Sequence, residues 1–149
     1  MFSLSKRSLD NLKGVDDRLV KVIKQAIQLT SIDFAVTEGL RSITRQEILF
    51  RNGASKTMQS KHIEGLAVDV VAYVNGRISW ELPFYFKIGE AIREAADQQG
   101  VVIRWGGAWH INNICDTKMT MEEMNHQYIL SRQSLGKKPF IDGPHFELN

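Results

Sequence analysis

Apolar residues recur at three- and four-residue steps from Leu19 through Val22, Ile23, Ala26 and Ile27, with Leu29 closing the stripe. That spacing places side chains on one face of an α-helix. Asp16 and Asp17 stand before the stripe as candidate caps, so a core-facing helix is expected to about Thr30. The segment "DFAVTEGLRS" predicts a short strand that breaks at Gly39. In "TRQEILFRNG", Thr44 and Glu47 have the spacing of a capping box at the head of a short helix that ends near Gly53. "GASKTMQSKH" carries no apolar period and is expected to be loop.

From Ala67 the run "AVDVVAYV" predicts a strand, and Asn75-Gly76 predicts a type I′ hairpin returning through "RISW". Pro83 suits the first turn of a second long helix, with Phe84, Ile88, Ala91, Ile92, Ala95 and Ala96 as its apolar face and Gly100 as its stop. "VVIRW" then predicts a strand, "GGAW" a loop, and "TMEEMNHQYILSRQ" a helix opened by a Thr120/Glu123 capping box. "GKKPFIDGPHFELN" closes the chain as a turn and a short strand. Runs of strand and helix in this order predict an α+β fold, a small antiparallel sheet packed with helices. No repeat, linker or low-complexity tract divides residues 1–149, so one domain is expected.

Composition narrows the function classes. With 149 residues, 43% hydrophobic and 24% charged, the chain has the balance of an ordinary globular domain. A net charge of +2 without a basic block gives no nucleic-acid footprint. The single cysteine, Cys115, excludes an intramolecular disulfide and any CxxC site. The N-terminus has no apolar h-region, and no stretch approaches the roughly 18 apolar residues of a membrane span, so cytoplasmic synthesis without a signal peptide or stable membrane association is expected.

The chemistry rests on few residues. His62 lies seven residues before Asp69, and His145 has Asp142 three before it and Glu147 two after it. Two imidazoles and a carboxylate are a common catalytic zinc set, because three protein ligands leave a fourth position for water. A further carboxylate is then needed to take that water's proton and deliver it to a leaving amine. Taken alone, His62 on a polar loop reads as a surface histidine. His126, four and three residues after Glu122 and Glu123, lacks an HExxH pattern and reads as surface, and His110 reads as a loop residue. Gly106-Gly107 is not followed by a phosphate-loop pattern, and Cys115 has no catalytic partner nearby.

The combination is more specific. Ser60-x-His62-x-x-Gly65-x-Ala67-x-Asp69, followed by Asp142-x-x-His145-x-Glu147 in "DGPHFE", resembles the zinc peptidases of the D-alanyl-D-alanine carboxypeptidase group. With "TEGLRS" and "WGGAW" in between, the chain is most similar to the L-alanyl-D-glutamate endopeptidases used as phage endolysins. The resemblance implies a peptidoglycan hydrolase acting on the L-Ala–D-Glu bond of stem peptides, with Zn²⁺ held by His62, Asp69 and His145 and with Asp142 as general base. It also implies a counterpart for Arg41 after the first strand, and an acidic residue in many relatives where this chain has Ala108. Such an enzyme waits in the host cytoplasm, as a monomer, until the membrane is permeabilised. A D-Ala-D-Ala carboxypeptidase and a non-catalytic metal-stabilised wall-binding module are the alternatives, and an intact Asp142 argues against the second.

Strand alternation puts His145 and Glu147 on one face and Asp142 on the other, which favours Glu147 as the neighbour of the metal. Gly143 and Pro144, however, break the strand and let Asp142 swing over the site from a turn. Asp142 is therefore assigned as base, with Glu147 orienting a ligand imidazole. Arg41 is assigned to the developing oxyanion or a substrate carboxylate, since its planar fork suits either. Ser60, Trp105 and Trp109 are expected beside the site or along the substrate cleft. The loop from Gly53 to Lys61 carries only Lys56 and Lys61 as basic residues, consistent with a cleft open at both ends.

Overall fold

Helix α1 (Lys6–Asn11), helix α2 (Asp17–Leu29) and strand β1 (Asp33–Glu38) open the computed structural model, which describes residues 1–149. Helix α3 (Ile43–Arg51), strands β2 (Ala67–Val74) and β3 (Arg77–Ser79), helix α4 (Leu82–Gln99), strand β4 (Ile103–Trp105), helix α5 (Met121–Ser134) and strand β5 (His145–Leu148) follow. The result is the expected α+β arrangement. The sheet runs β1-β2-β5-β4, all pairs antiparallel, and β3 joins β2 beyond the end of β5.

The two faces of the sheet have different jobs. Phe34, Val36, Val68, Val70, Ala72, Ile103, Trp105, Phe146 and Leu148 belong to the apolar core with the inner sides of α2 and α4. Asp69, His145, Glu147 and Arg104 occupy the alternate positions and line the opposite face, a cleft. Register fixes their neighbours: Asp69 pairs across the sheet with His145 on one side and Glu38 on the other, and Glu147 pairs with Arg104. A slip of one residue would turn every one of these polar groups into the core.

Local signals behave unevenly. Asp16 caps α2 by accepting from the Arg18 N–H, Thr120 and Glu123 form the expected box on α5, Asn75 takes a positive φ in the hairpin, and Gly100 ends α4 in the left-handed region. The Thr44/Glu47 box is not formed. Ser42 caps α3 instead, accepting from the Arg45 N–H, and the preceding Arg41 N–H donates to the His62 carbonyl at 2.8 Å. Helix α1, capped by Ser5, is an addition to the elements expected from the sequence. Only Ile103–Trp105 of "VVIRW" is strand. No helix is long and apolar enough to cross a membrane.

Candidate active site

Three side chains that are distant in sequence converge at the strand register. The ligand-type atoms of His62, Asp69 and His145 lie within 4.8 Å of one another. Asp69 Oδ1 is 3.3 Å from His62 Nε2 and 3.2 Å from His145 Nδ1, and the two rings meet edge to face at 5.1 Å. Asp69 is the third residue of β2, so its carboxylate is held by a strand rather than hanging from a loop.

His62 is not the surface histidine that its polar neighbours suggest. It is 2% exposed, on the turn between α3 and β2, and its Nδ1–H donates to the Gly39 carbonyl at 2.8 Å. That bond fixes the tautomer and leaves Nε2 as a bare acceptor. His62 Nε2 is buried without any hydrogen-bond partner. A buried polar atom with no partner is costly, and one aimed at a carboxylate and a second imidazole is a place for a cation. Gly65 allows the turn: its φ is +71°, and a Cβ there would lie 2.4 Å from the Gly14 carbonyl oxygen.

His145 is oriented from behind. Its Nε2 meets Glu147 Oε1 at 2.8 Å, so Nδ1 faces Asp69. Burial opposes a charge on this ring, but Asp69 and Glu147 together raise its pKa to about 9. Burial would likewise raise Asp69, yet contacts with His145 and His62 outweigh it and hold the carboxyl well below the usual range. Glu147 is lowered too, its burial overcome by His145 and then Lys61. The cluster thus attracts positive charge strongly, and the ring nitrogens and carboxylate suit a metal ion in place of the proton. The group His62, Asp69 and His145 can bind a metal ion.

Asp142 lies in the same cleft, on the turn before β5. Burial and the nearby Asp69 charge raise its pKa, against the pull of His145, His62 and Arg41. The "WGGAW" loop holds it: the Asp142 N–H donates to the Gly106 carbonyl at 2.8 Å, and the Gly106 N–H donates to the His145 carbonyl at 2.9 Å. A Cβ on Gly106 would lie 2.2 Å from the Asp142 carbonyl oxygen, which is why glycine stands there.

The remaining residues divide. Trp109 stands on the cleft wall, its ring 5.2 Å from that of His145 and stacked on Phe140 at 6.4 Å. Trp105 lies beneath the cleft rather than in it, fully buried, with Nε1–H donating to the Gly143 carbonyl at 2.8 Å and so bracing the Asp142 turn. Ala108 is buried in the core. Arg41 reaches the site, with Nη2 3.6 Å from Asp69 Oδ2. Its fork is already engaged, however: Nε and Nη2 donate to the two oxygens of Glu38 at 2.7 and 2.8 Å, and Nη1 donates to Gln46 Oε1 at 2.7 Å and Ser60 Oγ at 3.4 Å. No motif in the sequence marks Glu38 or Gln46, although Glu38 sits three residues before Arg41. His110 bonds Gln127 and His126 is exposed on α5, both apart from the cluster.

Comparison with known proteins gives the family and the fold. The family model described as phage L-alanyl-D-glutamate peptidase matches residues 1–149. The L-alanyl-D-glutamate peptidase of Escherichia phage T5 is 32% identical over 113 residues, covering 73% of this chain and 82% of that protein. The crystal structure of the Serratia marcescens L-Ala D-Glu endopeptidase ChiX superposes with a TM-score of 0.72 at 38% identity, over 97% of this chain and 87% of that one. With a fold, a cleft and a ligand cluster that all follow from its own residues, the chain belongs to the phage L-alanyl-D-glutamate peptidase family, a family of peptidoglycan hydrolases.

Proposed function

We propose that the protein is a zinc-dependent endolysin that hydrolyses the L-Ala–D-Glu amide of peptidoglycan stem peptides. The observation that carries this reading is the buried, unpartnered Nε2 of His62 facing Asp69 and His145. His62 Nε2, Asp69 Oδ1 and His145 Nδ1 would hold the ion, since a nitrogen-rich set with one carboxylate fits zinc. When bound, zinc supplies a Lewis acid that polarises a carbonyl and acidifies water to a pKa of roughly 7.

The protein's own groups supply the rest. Asp142 takes the proton of the attacking water and returns it to the departing D-Glu amine. Glu147 holds His145 in the tautomer that presents Nδ1. Arg41 positions Asp69 and the Glu38 side of the cleft, with Ser60 beside it. Because its donors are engaged, Arg41 is poorly placed to clamp a terminal carboxylate, which favours an endopeptidase over a D-Ala-D-Ala carboxypeptidase. The enzyme acts as a monomer and reaches the wall from the host cytoplasm once the membrane is permeabilised.

Chelation followed by metal addition tests the zinc assignment. Chelated protein should fail to clear a suspension of purified sacculi, and one equivalent of zinc should restore clearing. His62→Ala, Asp69→Ala and His145→Ala should each lose bound zinc. Full activity in metal-free protein would overturn the assignment.

A further inference from the structure

The cleft holds four cationic side chains, Arg41, Lys56, Lys61 and Arg104, beside four carboxylates, Glu38, Asp69, Asp142 and Glu147. Three of the cations are already committed to protein oxygens. Arg41 is forked onto Glu38, Lys61 donates to the Leu148 carbonyl at 2.5 Å with Glu147 at 3.5 Å, and Arg104 donates from Nε to the Trp109 carbonyl at 2.9 Å. Lys56 makes no ion pair or side-chain hydrogen bond. Its ammonium lies 5.9 Å from the centre of the Phe140 ring, on the aromatic wall that continues through Trp109 to His145.

The backbone beneath this lysine is anchored. Gln46 is completely buried, and its amide nitrogen donates to Ser55 Oγ at 2.8 Å and to the Thr57 carbonyl at 2.5 Å, the residues on either side of Lys56. Its amide oxygen accepts from Arg41 Nη1 at 2.7 Å. One buried amide therefore ties the Lys56 segment to the guanidinium that touches Asp69.

The substrate explains what the charge is for, on the peptidase reading above, on which this inference rests. D-Glu has two carboxyl groups and a linear stem peptide continues through one, so the other enters the cleft as an anion. It enters among four carboxylates, and apart from the metal the one side-chain cation there not committed to protein oxygens is Lys56. We propose that Lys56 is a specificity-determining residue that pairs with the free carboxylate of the D-Glu residue.

The test compares two acyl-L-Ala-D-Glu stem peptides that differ only in whether this group is carboxylate or carboxamide. With zinc-loaded enzyme, the ratio of kcat/KM for carboxylate over carboxamide should exceed one. Lys56→Gln should lower that ratio about 3- to 10-fold, chiefly through KM, as befits a partly exposed ion pair. Lys56→Arg, which keeps the charge, should retain most of it. A ratio unchanged in Lys56→Gln overturns the role of Lys56 and leaves the peptidase reading intact. Cleavage of neither peptide by zinc-loaded wild type overturns both.

Discussion

His145 stands between two carboxylates, with Nδ1 3.2 Å from Asp69 Oδ1 and Nε2 2.8 Å from Glu147 Oε1. One partner lies inside the ligand cluster and the other behind it, and the roles of the two carboxylates follow from that order. Glu147→Gln keeps the shape but weakens the hold on the imidazole, so metal affinity should fall about 10- to 100-fold while the fold survives. Competitive zinc titration measures this. Unchanged affinity would mean that the backbone of β5 orients His145 unaided.

Asp142→Asn separates chemistry from metal binding. The amide cannot accept a proton, so the rate should fall by about 10² to 10⁴ with zinc content unchanged. If this variant stays near wild type while Glu147→Gln is inactive with zinc retained, the general base is Glu147.

Gly106→Ala tests how the turn is held. Its Cβ would meet the Asp142 carbonyl oxygen at 2.2 Å and the carbonyl carbon at 3.1 Å, backbone atoms that cannot swing aside as a flexible side chain can. A loss of about 1–3 kcal/mol of stability is expected, with activity falling further than stability alone accounts for. Denaturant melts and initial rates, measured on the same preparation, decide the matter.

Metal-free protein should respond to pH in a definite direction. The folded-state pKa of His145 is raised from 6.5 to about 9. Its contribution to stability is therefore fully present below pH 6.5 and is lost as pH rises toward 9. Asp69 has the opposite sign: lowered from 3.8, it stabilises above that value and the contribution disappears as the pH falls below it. Melting temperatures of chelated protein should decline from pH 6.5 to 9, and bound zinc should suppress that decline by replacing the proton.

Much of this site was legible because its ligands sit on elements with strong local patterns. The apolar run after Asp69 and the closing strand at His145 set where these two side chains stand, and the break at Gly143-Pro144 frees Asp142 from strand alternation, but their role as ligands came from the combined motif. His62 was legible only through the combined motif, since its burial depends on the Gly39 carbonyl and on Gly65 packing against Gly14, contacts made across the fold. The same holds for Glu38 and Gln46, whose importance lies in partners contributed by other segments. Helix α1 is short and is capped by a serine among several, so its periodicity was weak. Thr44 has the spacing of a cap, yet α3 begins at Ile43 with Ser42 as its cap.

The most direct test of the central claim is mass spectrometry of purified sacculi digested with zinc-loaded and with zinc-stripped protein. The account predicts stem peptides with new D-Glu amino termini and glycan-linked L-Ala, produced only by the zinc-loaded form. Free D-Ala as the sole small product would contradict the bond assignment, and the same fragments from stripped protein would contradict the metal.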